Sequence, residues 1–168
     1  MRKTALFLAL LFAAPMAQAD NQYWAIAPGY SKVESGPGDD LEFFTLSALY
    51  GYELHPHLGI EGRVGTTLVR EELDADHKYS VDFFGSAFVR INVLSEDVRP
   101  YVLLGGTYAK AVASGPLVSG SDEESDFSWG VGVSLHVRQH GFHLEYIRYL
   151  DKSDFEFNGI NLGYTGRF

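Results

Sequence analysis

From residue 22 onward the chain repeats one pattern: apolar residues alternate with polar or small ones at period two, in segments closed off by Gly, Pro, Asp or Ser. Period two puts successive side chains on opposite faces of an extended backbone. No stretch carries the 3.6-residue apolar period of an amphipathic helix. Eight such segments run roughly over 22–32, 41–54, 58–70, 78–91, 99–112, 126–138, 142–150 and 155–168. Most exceed the about 5 or 6 residues of an ordinary soluble strand and reach the roughly 9–11 that cross a bilayer obliquely.

The connections differ by position. Those after the first, third, fifth and seventh segments are mostly long and acidic (VESGPGDD, EELDADHK, ASGPLVSGSDEES, DKSD), whereas HPH, NVLSEDVR and QH are compact or Pro-bounded. Long links at one end and tight ones at the other suit an up-and-down barrel. The two faces differ as well. Phe44, Leu46, Ala48, Tyr50, Tyr52 and Leu54 share a side, and Leu58, Ile60, Gly62, Val64 and Leu68 lie opposite Glu61 and Arg63. Tyr79, Val81, Phe83, Ala87, Val89 and Ile91 oppose Ser80, Asp82, Ser86 and Arg90, together with Phe84 and Phe88.

An eight-stranded barrel has an interior only just filled by side chains. The small residues Gly65, Gly130, Gly132 and Gly163 are therefore expected inside and the bulky aromatics outside. An outer apolar band edged by Tyr and Trp is stable only in lipid, where a closed barrel leaves no backbone group unpaired. In 99–112, Lys110 argues for even positions facing inward. The expected fold is all-β: an eight-stranded antiparallel up-and-down transmembrane β-barrel.

The first 19 residues, MRKTALFLALLFAAPMAQA, join a basic start (Arg2, Lys3) to a short apolar stretch and an A-Q-A ending. They read as a secretory signal peptide, cleaved before Asp20, with 20–168 forming one barrel domain. Its removal takes away two of 13 basic residues and none of the 22 acidic ones, so the formal charge falls from −9 to −11. Nucleic acid is excluded as a partner on that balance. With no cysteine, the exported chain holds together by hydrogen bonding and packing alone.

The ending GINLGYTGRF sets Ile160, Leu162, Tyr164 and Phe168 on one face, with Asn161, Gly163, Thr165 and Arg167 on the other. It resembles the assembly signal of bacterial outer-membrane barrels. With RPYVLLGGTYAKA and HLEYIRYL, the resemblance extends to the small OmpA/OmpX-type barrels of the outer-membrane β-barrel superfamily, with the stand-alone OmpX group nearer in layout. It implies a Gram-negative outer membrane reached through the periplasm, with lipid and lipopolysaccharide as surroundings. It also implies that the barrel-assembly machinery reads the last strand.

The resemblance further implies a non-enzymatic protein without cofactor or metal, serving envelope integrity, adhesion, or contact with a host or extracellular ligand through its acidic loops. The alternatives are a narrow pore for ions or small solutes and a membrane-embedded lipid A-modifying enzyme. Lipid A deacylases of this architecture carry an H-x-S in the seventh strand. Arg148, Tyr149 and Leu150 stand there instead, so base and nucleophile are both missing. A soluble lipocalin-like carrier would need the opposite polarity, apolar within and polar without.

Inside, Glu61, Arg63, Asp82, Arg90, His136, Arg138, His143 and Glu145 form the expected polar network, since buried charges need partners. A tight turn at Gln139 and His140 would set His136 opposite His143 and Ser134 opposite Glu145. Facing histidines would offer two ligands to a metal. Ser134, His136 and Glu145 would offer a nucleophile, a base and its orienter. A salt-bridged interior is the reading the residues support best.

The outer links gather Glu34, Asp39, Asp40, Glu71, Glu72, Asp74, Asp76, Asp122, Glu123, Glu124, Asp126, Asp151 and Asp154. Such clusters suit divalent-cation bridging to lipopolysaccharide or recognition of a basic partner. They suit equally a hydrated surface that resists aggregation. None has the D-x-D-x-D-G spacing of a calcium loop.

Overall fold

In a computed structural model the strands close into a ring. The structure describes residues 21–34, 40–68, 72–74, 77–94, 97–114, 119–152 and 155–168. The expected signal peptide lies outside the described residues.

Nine strands follow in order: β1 (Gln22–Glu34), β2 (Asp40–His55), β3 (Leu58–Thr67), β4 (Glu72–Asp74), β5 (His77–Asn92), β6 (Val98–Ser114), β7 (Ser119–Val137), β8 (His140–Lys152) and β9 (Phe155–Arg167). Each pairs antiparallel with its neighbours, and β3 and β4 both pair with β5, so together they make one wall position. β1 joins β9, with Tyr23 opposite Arg167 and Glu34 opposite Glu156. The architecture is thus the expected eight-stranded antiparallel barrel. The β1–β9 ladder skips Ala27 and Pro28, where proline has no N–H to give.

Short turns join β2–β3, β5–β6 and β7–β8 at one end, where β1 begins and β9 finishes. Around the wall, Ile26, Phe44, Ile60, Val89, Val131, Leu144, Ile160 and Leu162 stand outward and exposed. An apolar surface of that extent needs lipid to cover it. Aromatic pairs edge the band: Trp24–Tyr164 (5.9 Å) and Phe142–Tyr164 (5.6 Å) near the short turns, Tyr30–Phe44 (5.7 Å) and Trp129–Tyr146 (6.0 Å) toward the long connections.

Several expectations fail here, each for a local reason. Aromatics are not confined to the outside: Tyr23, Phe43, Tyr101, Tyr149 and Phe157 are buried in the lumen, as are Phe84 and Phe88, which alternation had set beside Ser86 and Arg90. Glycines on neighbouring strands make the room. A Cβ on Gly65 would overlap the Phe84 ring, one on Gly51 the Tyr23 ring, and one on Gly132 would come 2.5 Å from Tyr101 Cζ. In β6 the odd positions face inward, as Tyr101, Leu103, Thr107 and Ala109 are buried while Leu104 and Tyr108 are exposed. Lys110 sits outward one step beyond Tyr108, past the apolar band, where a charge meets water.

β7 begins at Ser119, well before the expected start, and runs 19 residues. At roughly 3.3 Å per residue it spans about 60 Å, against an apolar band about 25 Å tall. Asp122, Glu123, Glu124 and Asp126 therefore belong to a strand that projects beyond the membrane rather than to a loop. The β7–β8 register also differs. Val137 pairs with His140, so the two-residue turn is Arg138–Gln139, with Arg138 at φ 58° in the left-handed region. His136 consequently faces Gly141, and Ser134 faces His143.

Candidate functional site

Alternation along β3, β5 and β8 brings Glu61, Arg63, Arg90, His143 and Glu145 to the lumen face, all buried. Arg63 is the centre. Its guanidinium crosses to β8, donating to Glu145 Oε1 at 2.5 Å and Oε2 at 3.1 Å. It also turns back to Glu61 Oε2 through Nε at 3.1 Å and Nη2 at 2.5 Å. A planar fork of five donors is the side chain that can serve two carboxylates at once.

Arg90 donates to Glu61 Oε1 (3.0 Å), Ser134 Oγ (2.9 Å) and Asn92 Oδ1 (2.9 Å), and lies over the Tyr101 ring at 3.7 Å from its centroid. Tyr23 OH donates to Glu61 Oε1 (2.6 Å), Tyr101 OH to Glu145 Oε2 (2.8 Å) and Asn161 Nδ2 to Glu145 Oε1 (3.2 Å). Two carboxylates thus meet two guanidiniums, and all four carboxylate oxygens accept hydrogen bonds. That saturation is what offsets the several kcal/mol it costs to dehydrate each ion. His143 stands beside the network, its Nδ1 3.1 Å from Thr165 Oγ1.

Nearer the short turns, Glu53 accepts from Arg99 (3.1 Å) and twice from Arg167 (2.5 and 3.1 Å), tying β2 to β6 and β9. Toward the long connections the lumen turns apolar. Phe84, Tyr149 and Phe157 stack with centroids 4.8–5.7 Å apart, in a buried cluster with Val33, Phe43, Ile147 and Leu150. Between the two layers, Ser86, Thr107 and Ser128 link their hydroxyls at 2.7 and 2.8 Å, and Ser128 donates to the Tyr149 carbonyl at 2.6 Å.

Of the expected network, Glu61, Arg63, Arg90 and Glu145 meet, with His143 alongside. Arg138 does not, because the turn exposes it. His136 is half-buried nearer the turns, its Nδ1 without a partner among the described residues. The Asp82 side chain lies outside the described residues, as do those of Glu34, Asp40, Glu72, Asp74, Asp122 and Glu123 and the whole of Asp39, Glu71, Asp76 and Asp154. The sequence reading left out Tyr23, Tyr101, Asn161, Glu53, Arg99 and Arg167. Asn161 and Arg167 were legible from the inward face of the last strand; Glu53 lies one step from outward-facing Tyr52 and Leu54.

The sharper chemical readings lose their geometry. His136 and His143 do not face each other, and among the described residues no three His, Asp or Glu side chains converge as metal ligands. Ser134 Oγ accepts from Arg90 and donates to the Arg99 carbonyl at 3.3 Å, while Glu145 is taken up by Arg63. Arg148 points outward to Asp151 (3.0 Å) and Glu156 (2.9 Å), while Tyr149 and Leu150 are buried.

Comparison with known proteins agrees with the fold. The sequence matches the outer membrane protein beta-barrel domain family over residues 4–168. Among solved structures, Ail, the attachment invasion locus protein of Yersinia pestis, is 20% identical with a TM-score of 0.69, covering 89% of this chain and 99% of its own; it was crystallised with the heparin analogue sucrose octasulfate. Neisserial surface protein A (11% identity, TM-score 0.68) covers 88% and 97%. The N-terminal barrel domain of Pseudomonas aeruginosa OprF (12%, 0.61) covers 88% and 99%. No curated protein sequence matches this chain.

Proposed function

This chain belongs to the outer membrane protein beta-barrel domain family, and on that premise we propose that it is a non-enzymatic surface protein of the outer membrane. In this reading it contributes to envelope integrity and meets extracellular partners through its acid-rich outer end. The observation that carries this reading is the filled lumen. Saturated ion pairs and a stacked aromatic layer occupy the interior, so the outer strand ends are what the protein offers to its surroundings. The same filling argues against a narrow pore.

Charge sets the kind of partner. Ail was crystallised with a polyanion, whereas this outer end gathers acidic residues and favours a basic surface. Vesicles carrying the barrel should adhere to a support coated with a cationic protein and leave one coated with sulfated polysaccharide bare. Equal adherence to both, or a steady single-molecule conductance in a planar bilayer, overturns the reading.

The last strand supports a role in assembly. Ile160, Leu162, Tyr164 and Phe168 all stand exposed on the outer face. Deleting Phe168 should lower membrane yield far more than deleting Asp154; equal yields would remove that role.

A further inference from the structure

The link between β2 and β3 reads His55-Pro56-His57, and both imidazoles stand exposed at the short-turn end. In an outer-membrane barrel that end faces the periplasm. The two rings lie side by side, with centroids 5.8 Å apart and planes tilted by 31°. A bulge between Glu53 and His55 sets His55 opposite Leu58, and a bulge re-aims the side chains beside it.

Asn92, buried at the end of β5, holds this turn by three bonds. Its N–H donates to the His57 carbonyl at 3.0 Å, its Nδ2 donates to the Pro56 carbonyl at 3.1 Å, and its own carbonyl lies 3.0 Å from His57 Nδ1. A carbonyl can only accept, so His57 carries its proton on Nδ1 and keeps a lone pair on Nε2. An imidazole N–H held by a backbone carbonyl is the arrangement found around metal-bound histidine, because it fixes both ring and tautomer. His55 meets the His57 N–H through Nδ1 at 3.3 Å, a distance too long to hold the ring firmly. Its backbone, in contrast, is restricted by the proline that follows.

The spacing of the rings suits a shared ion. Imidazole nitrogens bind zinc tetrahedrally at about 2.0–2.1 Å, which puts the ring centroids about 3.2 Å from the metal and about 5.3 Å from each other. The observed 5.8 Å exceeds that by about half an ångström, which rotation of the exposed His55 ring can close. Imidazole favours zinc, copper and nickel over calcium and magnesium. Among the described residues no third His, Asp or Glu side chain joins the pair, so water would complete the coordination.

We propose that His55 and His57 form a two-histidine site for a divalent transition-metal ion, zinc or copper, on the periplasmic rim of the barrel. Asn92 is the positioning residue: it holds His57 in the ligating tautomer and the turn in one conformation. Its Oδ1 accepts from Arg90 Nε at 2.9 Å, so the scaffold of the site is anchored in the ionic layer of the lumen.

The test titrates the untagged barrel in lipid nanodiscs with Zn²⁺ and with Cu²⁺ by calorimetry. One ion should bind per barrel, copper more tightly than zinc, with Ca²⁺ and Mg²⁺ giving no heat. Pulsed electron paramagnetic resonance of the copper form should show two imidazole ligands. His55→Ala and His57→Ala should each weaken zinc binding at least tenfold while the metal-free unfolding midpoint and circular dichroism stay as in the parent, and His136→Ala should leave affinity unchanged. Asn92→Ala should weaken binding less than loss of either imidazole and leave both rings on the copper. Equal zinc affinity in the parent and in a variant lacking both His55 and His57 overturns the site. A stoichiometry of one ion to two barrels overturns it as well, because the ion would then lie between copies.

Discussion

Toward the short turns the lumen is filled by Arg63 and Arg90 against Glu61 and Glu145, toward the long connections by Phe84, Tyr149 and Phe157. Both layers are buried and both sit in a wall of the same strands. They answer to different physics. The ionic layer holds because each group's partners are all present, so losing one member strands the others. The aromatic layer holds by contact, so loss is graded with the volume removed.

Breaking the ionic layer should have the largest effect. Arg63→Met leaves two buried carboxylates short of donors and should cost about 3–5 kcal/mol in urea unfolding from lipid vesicles. Adding Glu145→Gln to Arg63→Met, which leaves Glu61 paired with Arg90, should restore most of that. A single variant no worse than the double would erase the distinction between the layers.

Overfilling sharpens it. Gly132→Ala presses on Tyr101, which donates to Glu145, whereas Gly65→Ala presses on Phe84, which has only contacts to rearrange. Overpacking costs about 1–3 kcal/mol, with Gly132→Ala expected at the upper end and Gly65→Ala at the lower, read from the same unfolding curves. The reverse order would mean that the ring stack is the stiffer layer. The smallest effect is expected from Ile147→Val, a fully buried member of the apolar cluster. It should cost about 1 kcal/mol, and a loss as great as that of Arg63→Met would show that the contacts are not graded.

Much of this was legible in the sequence because it depends on neighbours along the chain. The strands, the ends at which they turn, the outward Leu, Ile and Val, and the inward Glu61, Arg63, Arg90 and Glu145 all follow from alternation. What escaped depends on neighbours across the sheet. Tyr101 lies inside because Gly132, on the adjoining strand, leaves space for its ring. One residue, Arg138, enters the left-handed region and moves the β7–β8 register, which separates His136 from His143. For β6, one lysine near a strand end misled the assignment of a whole face, because position along the membrane normal outweighs polarity there.

The bonds of Glu53 bear on how the barrel is made. Its carboxylate is held by Arg167, 114 residues later, and Arg63 reaches Glu145 across 82. Contacts of such sequence separation form only after long stretches of chain have been gathered, which makes folding slow. Glu53 has both of its arginines only in the closed ring: with the β1–β9 seam open it would keep Arg99 and lack Arg167, so the seal of the wall and the satisfaction of its charge come together.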